Sequence, residues 1–210
     1  WWNKVATYAQ RKPSPLNGFD LFNYMALIVC ARARDYAEIT FHKFADELEA
    51  KDAAGQYAFG APENEKHRVT WEGIAVWTYL GATFKGLKNQ GAVMTGSAYP
   101  GLWSLVYTPG DLESMAEAYT NVYINTCGPN RYEEFYKVVK NSKSDGIVLH
   151  LNRSCKLMGL LNNEGAEYVN AKLGVPYVSF DGDQTDPRVF TPAQYETRVQ
   201  ALTEMMDENQ

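Results

Sequence analysis

From Arg68 onward, short apolar runs alternate with segments of helical spacing, and that alternation leaves few folds open. Residues 69–76, 92–96, 147–151 and 176–180 read as strands. Between them, residues 82–89 read as a short helix. Leu112, Met115, Ala116, Tyr119 and Val122 mark a second helix, and Tyr132, Phe135, Tyr136 and Val139 a third. Residues 164–173 make a fourth. Apolar residues three and four apart form one helix face. Strands that alternate with helices argue for a parallel sheet covered by those helices. The expected fold class is therefore α/β: a Rossmann-like, flavodoxin-like, four-stranded parallel sheet flanked by helices and preceded by a helical segment.

The last helix begins with several signals at once. Thr191 is a good N-cap, Pro192 fits the first helical position, and Gln194 would complete a capping box. Tyr195, Val199, Leu202 and Met206 then fall on one face.

Residues 1–66 read as helical. A break at 13–18 (PSPLNG) precedes a helix with Phe22, Met25, Ala26 and Val29 at helical spacing, and Ala37, Phe41, Phe44 and Leu48 line the next. Residues 55–66, with Gly60, Pro62 and Asn64, read as a loop and as the internal boundary. The expected organisation is a helical segment, 1–66, leading from an amino-terminal domain outside this sequence, and a Rossmann-like domain, 67–210. The opening Trp1-Trp2-Asn3-Lys4 already lies in a helix-like pattern and has no initiator Met, so the chain is expected to be part of a longer polypeptide.

Charge and composition exclude several functions. The net charge is −5 and no basic stripe appears, which argues against nucleic acid. The longest apolar run, residues 25–31, is far too short to span a bilayer. There is no signal-peptide pattern, and three widely spaced cysteines make no secreted disulfide framework. The expected location is the cytoplasm.

The stretch DGIVLHLNRSCK, residues 145–156, carries the chemistry. In an open α/β sheet, ligands bind beyond the carboxyl ends of the strands. The strand at 147–151 runs straight into His150, Asn152, Arg153, Ser154 and Cys155 at that place. Cys155 reads either as a buried structural cysteine or as a ligand or nucleophile, since Arg153, Lys156 and a helix start would each stabilise a thiolate. His150 reads as a core histidine or as a base. His42 and His67 are expected to be exposed, Cys30 to be core, and Cys127 to lie in a loop. After the fourth strand, Asp181, Asp183 and Gln184 read either as a turn or as a loop facing the Cys155 crevice. Glu72 and the turn 96–100 (GSAYP) belong near the first two strand ends by the same logic. No GxGxxG or Walker motif is present.

Taken together, RVTWEGIAVW (68–77), GSAYP, DGIVLHLNRSCK and VSFDGDQTDPRVFTPAQYETRVQAL (178–202) resemble the 2-hydroxyacyl-CoA dehydratase family, which also contains the benzoyl-CoA reductase subunits. The resemblance covers most of residues 12–206 and places the chain in a carboxy-terminal half. It implies a [4Fe–4S] cluster held by three cysteines, with Cys155 as the last of them and the first two in the other half. Cys30 and Cys127 match no ligand motif. Asn152, Arg153 and Ser154 are expected to tune the cluster by hydrogen bonding. His150, Arg153 and Ser154 are the catalytic candidates, and Glu72, Asp181, Asp183 and Gln184 the substrate-binding ones.

The resemblance also implies a reaction and partners. A 2-hydroxyacyl-CoA loses water to give the enoyl-CoA by way of a ketyl radical, in an oxygen-sensitive heterodimer with a homologous second subunit. An ATP-hydrolysing iron–sulfur activator supplies the electron. Two alternatives stay open at this stage: a subunit that reduces an aryl-CoA, and a non-catalytic partner that holds a cluster. A Rossmann-like binding domain without metal is the third.

Overall fold

The computed structural model describes residues 1–209. Four strands form one all-parallel sheet: β1 (His67–Glu72), β2 (Ala92–Ser97), β3 (Gly146–Asn152) and β4 (Tyr177–Gly182), in the order β2-β1-β3-β4. Helices α1 (Trp2–Tyr8), α2 (Gly18–Cys30) and α3 (Asp35–Ala53) precede it. The expected fold class is the observed one. The strand order matches the start of the flavodoxin-like winding.

The sheet is buried on both sides because each strand carries two apolar stripes. Along β3, Val148 faces one core with Val69, Trp71, Phe180, Tyr195, Val199 and Leu202. Ile147 and Leu149 face the other, with Phe135, Val139, Ala166 and Val169. Side chains alternate between faces along a strand, so one continuous apolar run serves both layers. The first layer is covered by α4 (Leu80–Asn89) and α10 (Pro192–Glu208), the second by α7 (Gly128–Asn141) and α9 (Asn162–Leu173).

The chain leaves β1 through α4 to β2 and then crosses back past β1 to β3 through α7, so winding direction and helix face reverse together. Right-handed crossovers require that coupling. The reversal opens a crevice outside the carboxyl ends of β1 and β3.

The helical segment shares the sheet's core. Leu21 and Met25 of α2 pack with Phe41, Phe44 and Leu48 of α3, while Phe19 and Phe22 join Trp71 in the sheet core. Arg68, at the start of β1, is 1% exposed. It pairs with Glu65, donates to the Ser142 carbonyl at 3.1 and 3.2 Å, and donates to the Arg11 carbonyl at 2.9 Å.

Several local expectations are corrected. The first strand ends at Glu72, not at 76, because Gly73 turns the chain at φ +104°. A Cβ there would lie 2.5 Å from the His150 carbonyl oxygen, which is backbone and cannot move aside. Gly73→Ala is expected to cost about 3 kcal/mol through combined strain and overpacking, measurable as a lowered urea midpoint. Thr191 is the N-cap of α10 with Pro192 behind it, but its side chain makes no capping hydrogen bond. Cys30 is exposed, because it sits on the last turn of α2 away from both cores. His67 is buried, as the first residue of the central strand, with Nε2 3.2 Å from Asp207. Helix α5 (Ala98–Gly101) is a single turn after β2, and helix α6 (Leu112–Thr120) forms where its spacing predicts, capped by Asp111, yet buries none of its residues.

Candidate functional site

Every loop that leaves a carboxyl strand end on the crevice side brings a group expected from the sequence. Cys155 follows β3 directly and is the N-cap of the four-residue helix α8 (Lys156–Gly159). It is half-buried and packs against Ile74, Leu102 and Met158, with Tyr99 and Tyr123 at the margin. Burial raises the Tyr99 hydroxyl pKa, and the nearby Cys155 adds to the shift.

The turn before Cys155 is built by carboxylate and amide oxygens that accept backbone N–H groups. Asp183 Oδ2 accepts from the Ser154 N–H at 2.9 Å. Its Oδ1 accepts from Thr185 and Asp186 at 2.9 and 3.0 Å. The Thr185 and Asp186 N–H groups, with Ser154, hold the Asp183 carboxyl well below its ordinary pKa. Asn152 Oδ1 accepts from the Ser154 and Gln184 N–H groups at 3.3 Å each and from the Ser154 hydroxyl at 3.2 Å. Asn152, Ser154, Asp183 and Gln184 are thus one hydrogen-bonded unit that sews the end of β3 to the end of β4.

Arg153 and Asp181 stand outside that unit. Both are exposed, with the guanidinium Nε 3.9 Å from the Asp181 carboxylate. His150 is fully buried on the opposite face of the sheet from Glu72. Its Nδ1–H donates to the Ile74 carbonyl, and its ring stacks on Phe180 at 5.1 Å. Burial lowers its pKa, so the ring is neutral and holds the turn after β1.

Glu72 ends β1 and is 0% exposed. Its Oε1 accepts from the Tyr123 hydroxyl at 2.8 Å, and its Oε2 is buried with no partner among the described residues. Burial pushes its pKa up from the ordinary 4.5 to about 7, with Tyr123 and Arg131 opposing the shift. Below pH 4.5 the group is neutral in both folded and unfolded chains. Between 4.5 and about 7 unfolding releases its proton, so stability falls as pH rises, and above 7 the loss is complete. At about 1.4 kcal/mol per pH unit the loss is about 3 kcal/mol. Glu72→Gln is expected to remove this fall, as read from urea midpoints at pH 4.5, 6 and 8.

Two residues that the sequence reading did not single out complete the site. Tyr123 lies on the short turn before α7, and Arg131 on α7 itself is 2% exposed. The Arg131 guanidinium donates to the Leu157 carbonyl at 2.6 Å and the Met158 carbonyl at 3.0 Å, and lies 4.7 Å from the Tyr123 ring centre. A sequence signal existed: position 131 shares a helix face with buried Phe135 and Val139, four and eight residues on.

A cavity of about 540 Å³ adjoins Tyr123, lined by Ser97, Leu102, Val106, Val122 and Val138 among others. Among the described residues no group of three or more His, Cys, Asp or Glu side chains is placed to hold a metal ion. Cys30, Cys127 and Cys155 are all free thiols. Of the three, Cys155 is the one that directly follows a strand end at the crevice. Its half-exposed position and soft donor suit a cluster edge shared with ligands from outside these residues.

A doubly wound α/β sheet with a cysteine presented at its switch point defines the class of protein. The particular family follows from comparison. Residues 1–206 match the family described as 2-hydroxyglutaryl-CoA dehydratase, D-component, and the chain belongs to that family. It is 61% identical over 210 residues to lactoyl-CoA dehydratase subunit alpha of Anaerotignum propionicum, covering 99% of this chain and 49% of that protein. It is 43% identical over 208 residues to the (R)-2-hydroxyisocaproyl-CoA dehydratase alpha subunit of Clostridioides difficile, covering 99% of this chain and 50% of the relative. A benzoyl-CoA reductase subunit of Thauera aromatica is 23% identical over 215 residues, or 97% of this chain and 50% of that protein. The chain spans about half the length of these curated relatives.

Proposed function

We propose that the chain is the cluster-contacting portion of the alpha-type subunit of a 2-hydroxyacyl-CoA dehydratase, a lyase that removes water from a 2-hydroxyacyl-CoA to give the enoyl-CoA. The observation that carries the reading is the presentation of Cys155. It stands half-exposed at the switch point, on a turn fixed by Asp183 and Asn152 on one side and Arg131 on the other. The relatives' printed names supply the reaction class.

In this reading Cys155 is one ligand of a [4Fe–4S] cluster, and the remaining ligands come from outside these 210 residues. When bound, such a cluster supplies one-electron chemistry at the thioester carbonyl, with the electron delivered by an ATP-hydrolysing activator protein. The residues of this chain do the positioning. Asp183, Asn152, Ser154 and Gln184 hold the turn and aim the Ser154 and Cys155 backbone. Arg153 and Asp181 are the exposed polar pair available to an acyl-CoA at the mouth of the crevice. The cavity beside Tyr123 has the size of an acyl site, and its lining is mixed: Leu102, Val106 and Val122 are apolar, while Ser97, Glu117, Asn121 and Glu134 are polar. A homologous second subunit completes the enzyme. No described helix is long and apolar enough to cross a membrane.

The test is an oxygen-free assay of the full-length protein with its partner and activator. Lactoyl-CoA or another 2-hydroxyacyl-CoA is expected to be converted to the enoyl-CoA, with ATP required. Reduction of an aryl-CoA in place of dehydration would move the assignment to the reductase branch. Full activity of the partner with this subunit's Cys155 removed would make the subunit a scaffold.

A further inference from the structure

Arg131 is an unusual residue to find in this core. The residue is 2% exposed, and its guanidinium makes no direct ion pair among the described residues. A buried cation without a paired anion is costly, and an apolar side chain of similar size commonly packs as well. The charge is instead answered in series. The Tyr123 ring lies against the guanidinium at 4.7 Å, and the Tyr123 hydroxyl donates to Glu72 Oε1 at 2.8 Å. The far end of the series is α8. A helix of four residues has little stability of its own; the Leu160 N–H donates to the Lys156 carbonyl at 2.8 Å, and the carbonyls after it lie in the last turn, where an intrahelical donor is lacking. Arg131 donates to two carbonyls of that helix, Leu157 and Met158, and reaches the Asn162 side chain at 3.4 Å. The forked, planar guanidinium suits two acceptors at once, which a lysine ammonium on a flexible stem does not.

We infer that Glu72, Tyr123 and Arg131 form a positioning relay that fixes α8 and so sets the direction in which Cys155 presents its sulfur. The inference deepens the dehydratase reading and rests on Cys155 being the functional sulfur. The relay runs from the end of the central strand, behind the crevice, to the turn that follows Cys155. It acts through backbone carbonyls, so none of its members needs to touch substrate.

The experiment uses the full-length protein with its partner, in three variants: Arg131→Lys, Tyr123→Phe and Glu72→Gln. Tyr123→Phe removes one hydroxyl and keeps the ring, which guards against a variant that fails to fold. Two readouts are taken besides the thermal midpoint. The first is the rate of alkylation of Cys155 by iodoacetamide in iron-free protein, resolved from Cys30 by peptide mass spectrometry. The second is the midpoint potential and electron-resonance signature of the loaded protein. The relay predicts a rise of about tenfold in Cys155 alkylation for Arg131→Lys and a smaller rise for Tyr123→Phe. Cys30 is expected to be unchanged, and the thermal midpoint of Tyr123→Phe to fall by only a few degrees, for the hydroxyl that buried Glu72 loses. It also predicts a shifted potential in all three loaded variants. Wild-type alkylation of Cys155 in all three would overturn the relay. So would a rise that only follows a fallen thermal midpoint. Wild-type protein without iron, with the alkylation pattern as predicted, would overturn the cluster reading and leave the relay standing.

Discussion

Cys155→Ser is expected to abolish dehydration while leaving the fold intact. The side chain is half-exposed, contributes little apolar burial, and its turn is held by atoms of Asn152, Asp183 and Arg131 rather than by the sulfur. Serine keeps the volume and the N-cap position, so the thermal midpoint should stay within a few degrees of wild type. Activity should fall by more than about 100-fold, since even groups that only hydrogen-bond a metal's ligands cost about 10–100-fold when removed. Asp183→Asn separates the sulfur from its support. It keeps the side-chain shape, removes the charge that accepts the Ser154, Thr185 and Asp186 N–H groups, and is expected to lower activity by about tenfold. Steady-state rates and melting curves on the same preparations distinguish the two effects.

The second large effect lies at the opposite end of the sheet. Arg68→Ala is expected to destabilise the protein by about 3–5 kcal/mol, the usual cost of leaving one member of a buried pair alone. Glu65 would stay buried, with only the Ser14 N–H at 2.7 Å as a strong partner. The Ser142, Arg11 and Ala9 carbonyls would lose their donor. At about 2–4 °C per kcal/mol for a chain of this size, the midpoint should drop by about 10 °C. Arg68→Lys should recover part of the charge but not the forked contacts, and fall between. Because Arg68 joins the helical segment to the sheet, a single concerted transition in wild type that splits in Arg68→Ala would show that this residue couples the two.

The fold was largely readable because it rests on period. Each strand had to be apolar on both faces, and the intervening helices had to show one apolar face, so residues 92–96 and 147–151 were visible as strands without any tertiary information. The end of the first strand was not, because residues 74–76 are as apolar as the strand itself. They leave the sheet only because Gly73 turns over the His150 carbonyl. Helix α6 shows the converse. Its apolar spacing is helical and it is a helix, but Leu112 is 74% exposed, since periodicity reports a face and says nothing of what covers it.

The site was legible in part, for a related reason. Cys155, Asn152, Ser154, Asp183 and Gln184 follow strand ends directly, and the switch-point rule carries them to one crevice. Glu72 does too, yet its partners do not. Tyr123 and Arg131 lie about fifty and sixty residues further on and meet it only because α7 packs on the sheet face that carries Ile147 and Leu149. Arg131 stands in a polar run, Asn130-Arg131-Tyr132-Glu133-Glu134, that reads as a solvated surface. Its burial appears only when its place on the Phe135 and Val139 face is counted. His67 is buried and Cys30 exposed, against expectation, for the same cause. Type and neighbours describe a residue's chemistry, whereas burial depends on which turn or strand position it occupies.

In the proposed reading Cys155 binds a cluster whose other ligands lie outside these residues. Iron and acid-labile sulfide should be measured in the full-length subunit, purified without oxygen with its partner, in wild type and in Cys155→Ser. About four iron and four sulfide are expected per wild-type subunit, and their loss from this subunit in the variant. No iron in wild type, or an iron content indifferent to Cys155, would contradict it.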